Sequence, residues 1–204
     1  MRKLVTSILI LTLPFILGCE KRLFRFVATI DQTSVFTLSS VNGNFAQEQF
    51  IARDDVLGKL DIPKKAHITD VKIESLSLKV IKRSENKAPA MTVYATVFGT
   101  RVPGKMFDPV TVPLVGVDAP FIGLNALIES AIDGLKDKFK AYIQALDHTS
   151  FSVQVTGNSV PTGQQIALDL QLIIKATVEY EECVDTIPGT GGASCEENIY
   201  STSP

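Results

Sequence analysis

The sequence predicts a mainly β protein: an antiparallel two-sheet β-sandwich of Ig-like character with one long amphipathic α-helix. Three observations predict it. Apolar and polar residues alternate along most of the chain, Gly- and Pro-containing turns separate these stretches, and one segment instead has a helical period. There is no strand–helix–strand alternation and no internal repeat, so the pattern favours antiparallel sheets with one solvent-exposed face.

The first predicted strand begins at Phe24. Phe24, Phe26, Ala28 and Ile30 share one face, which indicates one half-buried strand, or two strands around residues 31–32. The dipeptide at residues 42–43, Asn-Gly, is typical of a type I′ hairpin because both central residues of that turn need positive φ. Residues 45–52 are therefore predicted to return beside the first strand. Residues 53–60 are predicted to form one helical turn.

The middle of the chain predicts three further strands. In residues 68–81 the apolar parity changes between Ile73 and Leu76, which predicts a bulge. Residues 91–97 alternate cleanly. Residues 110–117 are apolar, but Pro109 and Pro113 confine that strand to an edge or a bulge.

One segment has a clear helical period. Between Leu124 and Leu146 apolar residues recur at steps of three and four, which predicts a helix over about residues 120–146. Asp118 is its expected N-cap and Pro120 lies in its first turn. This helix either seals the sheets or encloses an apolar groove with them, and the sequence leaves both interpretations open.

Two strands are predicted to close the domain as a hairpin. Phe151, Val153 and Val155 alternate in the first, and residues 166–180 carry a long one-sided apolar face in the second. The turn is expected at residues 157–158 and 161–163.

The first nineteen residues have the layout of an export signal. Arg2 and Lys3 precede an apolar stretch that ends at Leu17 and is too short to span a bilayer. Residues 16–19, Ile-Leu-Gly-Cys, resemble the lipobox of bacterial lipoproteins. The alternative is an ordinary signal peptide with a chance cysteine.

The lipoprotein resemblance implies removal of residues 1–18 and lipidation of Cys19, with palmitate among the attached acyl chains. Residues 19–23 would then be a lipidated tether, residues 24–182 the β domain, and residues 183–204 a disulfide loop with a flexible tail. Glu20 follows the cysteine. Because Asp at that position retains such proteins at the inner membrane of Gram-negative bacteria, Glu20 favours the outer membrane. The expected location is the bacterial cell envelope, facing the periplasm or the surface.

Cys183 and Cys195 remain as an even pair in an oxidising compartment. They flank a turn-rich segment, and a disulfide is the expected outcome. A metal site is not expected, because the nearby carboxylates favour hard cations while thiolates favour soft ones.

Composition excludes several functions. Without residues 1–18 the chain has 18 basic and 22 acidic residues, and no basic cluster, so nucleic-acid binding is not expected. His67 and His148 lack a neighbouring Ser-Asp or Cys partner in sequence. The adjacent acids Asp54-Asp55 and Glu181-Glu182 are a weak signal for a two-carboxylate site, because neighbouring side chains in a strand face opposite sides. No phosphate-binding or metal-binding motif occurs.

The sequence thus predicts a non-enzymatic, lipid-anchored envelope protein without a cofactor, acting in binding or assembly with an envelope partner. The alternative is a carrier of an apolar ligand in a groove between sheet and helix. The residues assign neither a ligand-binding site nor an oligomeric state.

Overall fold

A computed structural model describes residues 20–58, 60, 62–63, 66–114, 122–124, 127–186 and 193–195. The predicted signal peptide, Cys19, Asp118 and Pro120 lie outside these residues. The chain divides into a larger compact unit, Arg25–Glu182, and a smaller one formed by Met1–Phe24 and Cys183–Pro204. Among the described residues, no helix is both long enough and apolar enough to cross a membrane.

The described elements are ten strands and two helices. In chain order they are β1 (Glu20–Ser40), β2 (Asn44–Ile51), α1 (Arg53–Leu57), β3 (His67–Lys82), β4 (Ala90–Phe98), β5 (Gly104–Lys105), β6 (Val110–Pro113), β7 (Ile122–Gly123), α2 (Glu129–Ile143), β8 (Phe151–Val160), β9 (Ile166–Thr186) and β10 (Ala193–Ser194).

The strands of the larger unit form two sheets. Sheet 1 has the order β1-β9-β3-β7, and sheet 2 has the order β2-β8-β4-β5, with β6 also pairing with β4. The β3–β9, β2–β8 and β4–β8 pairings are antiparallel. The mainly β, two-sheet sandwich predicted from sequence is confirmed.

The core lies where the inward faces of the two sheets meet. Its largest fully buried side chains come from both sheets and from α2, and include Phe36, Leu76, Met91, Phe139 and Phe151. Every second residue of β9 from Ile166 to Val178 is buried, so the one-sided strand predicted there is confirmed. Alternation predicted this face because successive side chains of a strand point to opposite sides.

Two local irregularities also match the prediction. The register between β3 and β9 shifts between Ile73 and Ser75, which is the bulge that the parity change indicated. β6 pairs with β4 alone among the described strands, so the proline-flanked strand lies at an edge.

The predicted hairpin at residues 42–43 is wrong. β1 belongs to sheet 1 and β2 to sheet 2, so the turn carries the chain from one sheet to the other. Gly43 has a φ of +79°, whereas Asn42 does not have positive φ, so the turn lacks the type I′ geometry. A side chain at Gly43 would also collide with Ser159.

The predicted closing hairpin is wrong for the same reason. β8 lies in sheet 2 beside β2 and β4, and β9 lies in sheet 1 beside β3. Gly157, expected in a turn, is instead inside β8. A Cβ there would overlap the Thr92 carbonyl oxygen and lie 2.6 Å from Phe45 Cζ, so glycine permits close packing rather than a turn.

The helix is shorter than predicted. It begins at Glu129 rather than near residue 120, with Ile128 as its N-cap residue and no side-chain capping bond. Two of the preceding apolar residues bond elsewhere instead: Leu124 N–H donates to the Leu76 carbonyl of β3 at 3.0 Å, and Ile128 N–H donates to the carbonyl of Met106, just after β5, at 2.9 Å. At the described residues 122–124 and 128, backbone hydrogen bonds to distant residues replace helical ones.

The smaller unit contains the predicted disulfide. Cys183 and Cys195 are bonded, with their Cα atoms 6.1 Å apart. β10 pairs antiparallel with β1 through Arg22 and Leu23. The disulfide expected from the even cysteine pair is therefore confirmed.

Candidate binding surface

α2 crosses one end of the sandwich. Near its start, Ala131 lies beside Gly104 of β5, and further along Lys136 Nζ is 3.4 Å from Asp70 Oδ1 of β3. At its end, Arg53 Nε donates to the Tyr142 carbonyl at 2.9 Å. The helix thus joins both sheets to α1.

The side of the sandwich bounded by β1 and β2 is built differently. β2 is the last strand of sheet 2, and β1 is the last strand of sheet 1 within the larger unit. Residues 41–43 join the two strands, so both edges lie on the same side. Among the described residues, no strand pairs with the outer side of β2.

The backbone of β2 presents regularly spaced hydrogen-bonding groups along this edge. Ser159 N–H donates to the Gly43 carbonyl at 2.9 Å, so the odd-numbered residues of β2 bond to β8. The even-numbered residues point the other way. Asn44 N–H is already bonded to Asn42 Oδ1 at 3.2 Å, which leaves both backbone groups of Ala46, Glu48 and Phe50 directed to the outer side.

Buried oxygen atoms without partners lie just inside the two edges. They are Ser34 Oγ on β1 and the Oε1 atoms of Gln47 and Gln49 on β2, none of which has a hydrogen-bond partner among the described residues. Ser34 is only 1% exposed. An unsatisfied buried polar group costs about 1–3 kcal/mol, so three of them along one side favour a surface that becomes complete on binding.

A depression of about 430 Å³ opens beside one of these residues, Gln49. It is lined by Gln32, Thr33, Gln49, Phe50, Ile51, Asp55 and Gly58. The Phe50 side chain is 69% exposed, the most exposed aromatic ring among the described residues. We refer to the outer edge of β2, with Ser34, Gln47, Gln49 and Phe50, as the β2 edge. The combination of open backbone groups, unsatisfied oxygens and an exposed ring is typical of a strand-pairing surface.

A second polar cluster lies at the end of α2. Lys138 Nζ donates to Asp147 Oδ2 at 2.7 Å and to Thr149 Oγ1 at 2.9 Å, and it lies 5.1 Å from the centre of the Tyr142 ring. Together with hydrogen bonds from Thr149, this ammonium lowers the pKa of Asp147 from 3.8 to about 2. Burial, and then the charge of Asp147, raise the pKa of Tyr142 to about 12.

The hydrogen bonds in this cluster explain its role. The Tyr142 hydroxyl donates to the Thr149 carbonyl at 2.7 Å, so the side chains of α2 hold the segment that leads into β8. Each polar atom of Lys138 and Asp147 is directed at the other or at this segment. The cluster therefore fastens α2 to the sandwich.

The structure does not bring the candidate catalytic residues together. His67 begins β3, His148 follows α2, and both are exposed. Within the described part of the chain, no group of three or more His, Cys, Asp or Glu side chains is arranged to hold a metal ion. The absence of an enzymatic function stays a prediction.

The packing of α2 bears on the apolar-carrier alternative. Its inward side chains Ala131, Leu135, Phe139 and Tyr142 are fully or almost fully buried, and the rings of Phe139 and Tyr142 lie about 6 Å from that of Phe151. This is the packing of a helix that seals the core. The carrier interpretation gains no support from it.

The sequence reasoning missed the β2 edge. Its signal is present in residues 45–51, where two glutamines occupy alternate positions between Phe45 and Ile51. Polar residues at inward positions of a strand indicate either a buried network or an incomplete edge.

Comparisons with known proteins add little. No protein-family model matches the chain, and no curated protein matches it significantly. The empty head of turnip yellow mosaic virus is 12% identical, with 93% of this chain and 95% of that chain covered and a TM-score of 0.36. The decameric BFDV capsid protein is 12% identical, covering 76% of this chain and 99% of that chain, with a TM-score of 0.34. At this level the likeness says nothing about what the present chain binds.

Proposed function

We propose that this chain is a lipid-anchored bacterial envelope protein whose β-sandwich is a non-enzymatic binding or assembly module. The lipid would be attached at Cys19, and the binding would take place at the β2 edge. The outer membrane is the proposed location.

The anchor is supported by residues 16–19, which resemble a lipobox directly after a charged start and a short apolar stretch. Each buried methylene contributes about 0.8 kcal/mol, so the two or three acyl chains that bacterial lipoproteins carry give stable attachment. One chain alone would hold the protein only reversibly.

The binding role rests on one observation. Among the described residues, the buried oxygens of Ser34, Gln47 and Gln49 have no hydrogen-bond partner, and no strand pairs with the outer side of β2. Leaving a buried polar group unsatisfied carries a free-energy penalty, whereas an apolar group of similar shape in its place can be neutral or stabilising. A bound partner that supplies hydrogen-bond donors to these oxygens removes the penalty.

The anchor is tested with Cys19→Ala. We expect the wild-type protein to incorporate a palmitate analogue and to stay with the membrane fraction after a carbonate wash. The variant should lose both properties. Labelling and membrane retention that survive in Cys19→Ala would refute the lipid anchor.

The binding role is tested by photo-crosslinking in intact cells. A benzoylphenylalanine replaces Phe50 on the β2 edge or, as a matched control, Phe98, which is an exposed phenylalanine on β4, a strand paired on both sides. We expect a discrete crosslinked species from position 50 and none from position 98. Equal crosslinking from both positions, or none from either, would count against a binding role for this edge.

A further inference from the structure

We infer that the partner at the β2 edge is a second copy of this chain, with the two β2 strands pairing antiparallel about Gln47. The inference rests on the proposed binding role of the edge, but it does not depend on the lipid anchor. It specifies a register, and the register follows from the residues of β2.

β2 is unusually open to such pairing. Its register with β8 runs from Asn44 to Ile51 without a shift, whereas the register of β3 with β9 is broken twice. The strand contains no lysine, no proline and no bulge, the features by which natural edge strands prevent pairing. An edge of this kind is suited to a partner strand.

Charge selects among the registers. Pairing centred on Glu48 would place this carboxylate directly opposite its copy, and like charges opposite each other are destabilising. Pairing centred on Gln49 aligns only residues 47–51 within the two strands. Pairing centred on Gln47 aligns residues 44–50, places Glu48 opposite Ala46 and leaves the two Glu48 side chains only diagonal to each other. It is therefore longer than the register centred on Gln49, and it weakens the charge repulsion of the register centred on Glu48.

The same register satisfies the backbone. Ala46 and Glu48 have their backbone groups directed to the outer side of β2, and in this register they face each other as hydrogen-bonded pairs. Gln47 then falls at the two-fold axis as a non-hydrogen-bonded pair, in which Cα atoms are about 4.5 Å apart.

The side chains explain why the partner is a copy rather than another protein. A glutamine amide carries both donors and an acceptor, so two Gln47 side chains that turn toward the two-fold axis can satisfy each other's Oε1 atoms, which are buried and have no partner among the described residues. Gln49 lies diagonal to Gln47 of the second copy, within reach of a long side chain. On the outer face, the exposed Phe50 ring lies opposite Asn44 and diagonal to Ala46 of the second copy, where it is covered.

The register is tested with Gln47→Cys in the full-length protein, expressed in cells and oxidised in the whole-cell lysate with copper phenanthroline. Cα atoms about 4.5 Å apart lie within the range that a disulfide bridges. We expect a reducible band of twice the protein mass for this variant.

Two controls accompany it. In this register Phe50 faces Asn44 of the second copy, and Phe50 of that copy lies six residues further along its strand, about 20 Å away. Phe50→Cys should therefore not crosslink with its own copy. When Asn44→Cys and Phe50→Cys copies with different tags are co-expressed, they should crosslink with each other. Wild-type protein treated in the same way shows whether the native cysteines form disulfides between copies.

A second measurement does not need a new cysteine. Gln47→Glu places two carboxylates opposite each other and should shift the detergent-solubilised protein from dimer to monomer in sedimentation velocity. Gln171→Glu, the same change on sheet 1, should leave it dimeric.

Three outcomes would overturn the inference. They are a monomeric wild-type protein, Gln47→Cys that stays uncrosslinked although its native disulfide and strand content are intact, or equal crosslinking by Phe50→Cys alone. If the Phe50 photo-crosslink joins a different protein, the second-copy inference fails while the proposed binding role stands.

Discussion

The ammonium of Lys138 lies 2.7 Å from the carboxylate of Asp147, and the two side chains differ sharply in exposure: 4% for the lysine and 29% for the aspartate. Breaking the pair from either side therefore leaves different groups behind. Removing Asp147 leaves the buried ammonium of Lys138 without its counter-ion. Removing Lys138 leaves a carboxylate that is still hydrated and still accepts a hydrogen bond from Thr149.

We expect Asp147→Asn to lower the free energy of unfolding by about 3 kcal/mol and Lys138→Met to lower it by about 1 kcal/mol. Urea unfolding followed by circular dichroism measures both values. Lys72→Met, which breaks the exposed pair with Glu179, is the control and should leave stability almost unchanged, because water and salt screen an exposed ion pair. Equal losses for Asp147→Asn and Lys138→Met would contradict the assigned asymmetry.

The same pair makes the free energy of unfolding decrease at acid pH. The pKa of Asp147 lies near 2 in the folded protein and near 3.8 when unfolded, so the stabilisation is complete above pH 3.8 and is lost as the pH falls to 2. Asp169, whose pKa is lowered by Thr37 and Arg83, adds to the same trend. Urea midpoints between pH 5 and pH 2 should fall less steeply in Asp147→Asn than in the wild type. Parallel curves for the two proteins would refute the contribution of Asp147.

Gly157 is expected to be intolerant of even one methyl group. In Gly157→Ala the Cβ would overlap the Thr92 carbonyl oxygen and crowd the Phe45 ring, so the cost should reach about 3 kcal/mol. Gly163→Ala is the matched control. Gly163 has a φ of +87° but open space around it, so only backbone strain of about 1 kcal/mol applies. Thermal melts of both variants measure the difference, and a smaller loss for Gly157→Ala than for Gly163→Ala would contradict the packing argument.

The disulfide is expected to stabilise the smaller unit locally. In the chain-entropy model, closing a loop of this length contributes roughly 3 kcal/mol, so replacing Cys183 and Cys195 by Ser should speed amide exchange of Leu23 and Ala193 by roughly 100-fold. Amides of the central strand β9, such as that of Leu172, should exchange unchanged. Protection at Leu23 that survives the double substitution would show that the pairing of β1 with β10 does not need the bond.

The local pattern of the sequence was sufficient to predict several strands and which of their faces are buried. The buried side of β9, the irregularity of β3 near Ile73 and the edge position of β6 all follow from side-chain alternation and proline chemistry. The cysteine pair likewise followed from composition. Each of these features is decided by a residue and its near neighbours along the chain.

Only the tertiary structure decided which strands are neighbours. The turn at Gly43 requires positive φ whether the chain returns in the same sheet or crosses to the other, so the dipeptide could not distinguish a hairpin from a crossing. The first residues of the predicted helix pair with β3 and the segment after β5, because backbone hydrogen bonds to those distant residues replace helical ones. The same is true of the β2 edge. The glutamines at positions 47 and 49 are visible in the sequence, but whether their side-chain oxygens find partners in the described part of the chain depends on the strand order. That order is set by contacts between residues far apart in the chain.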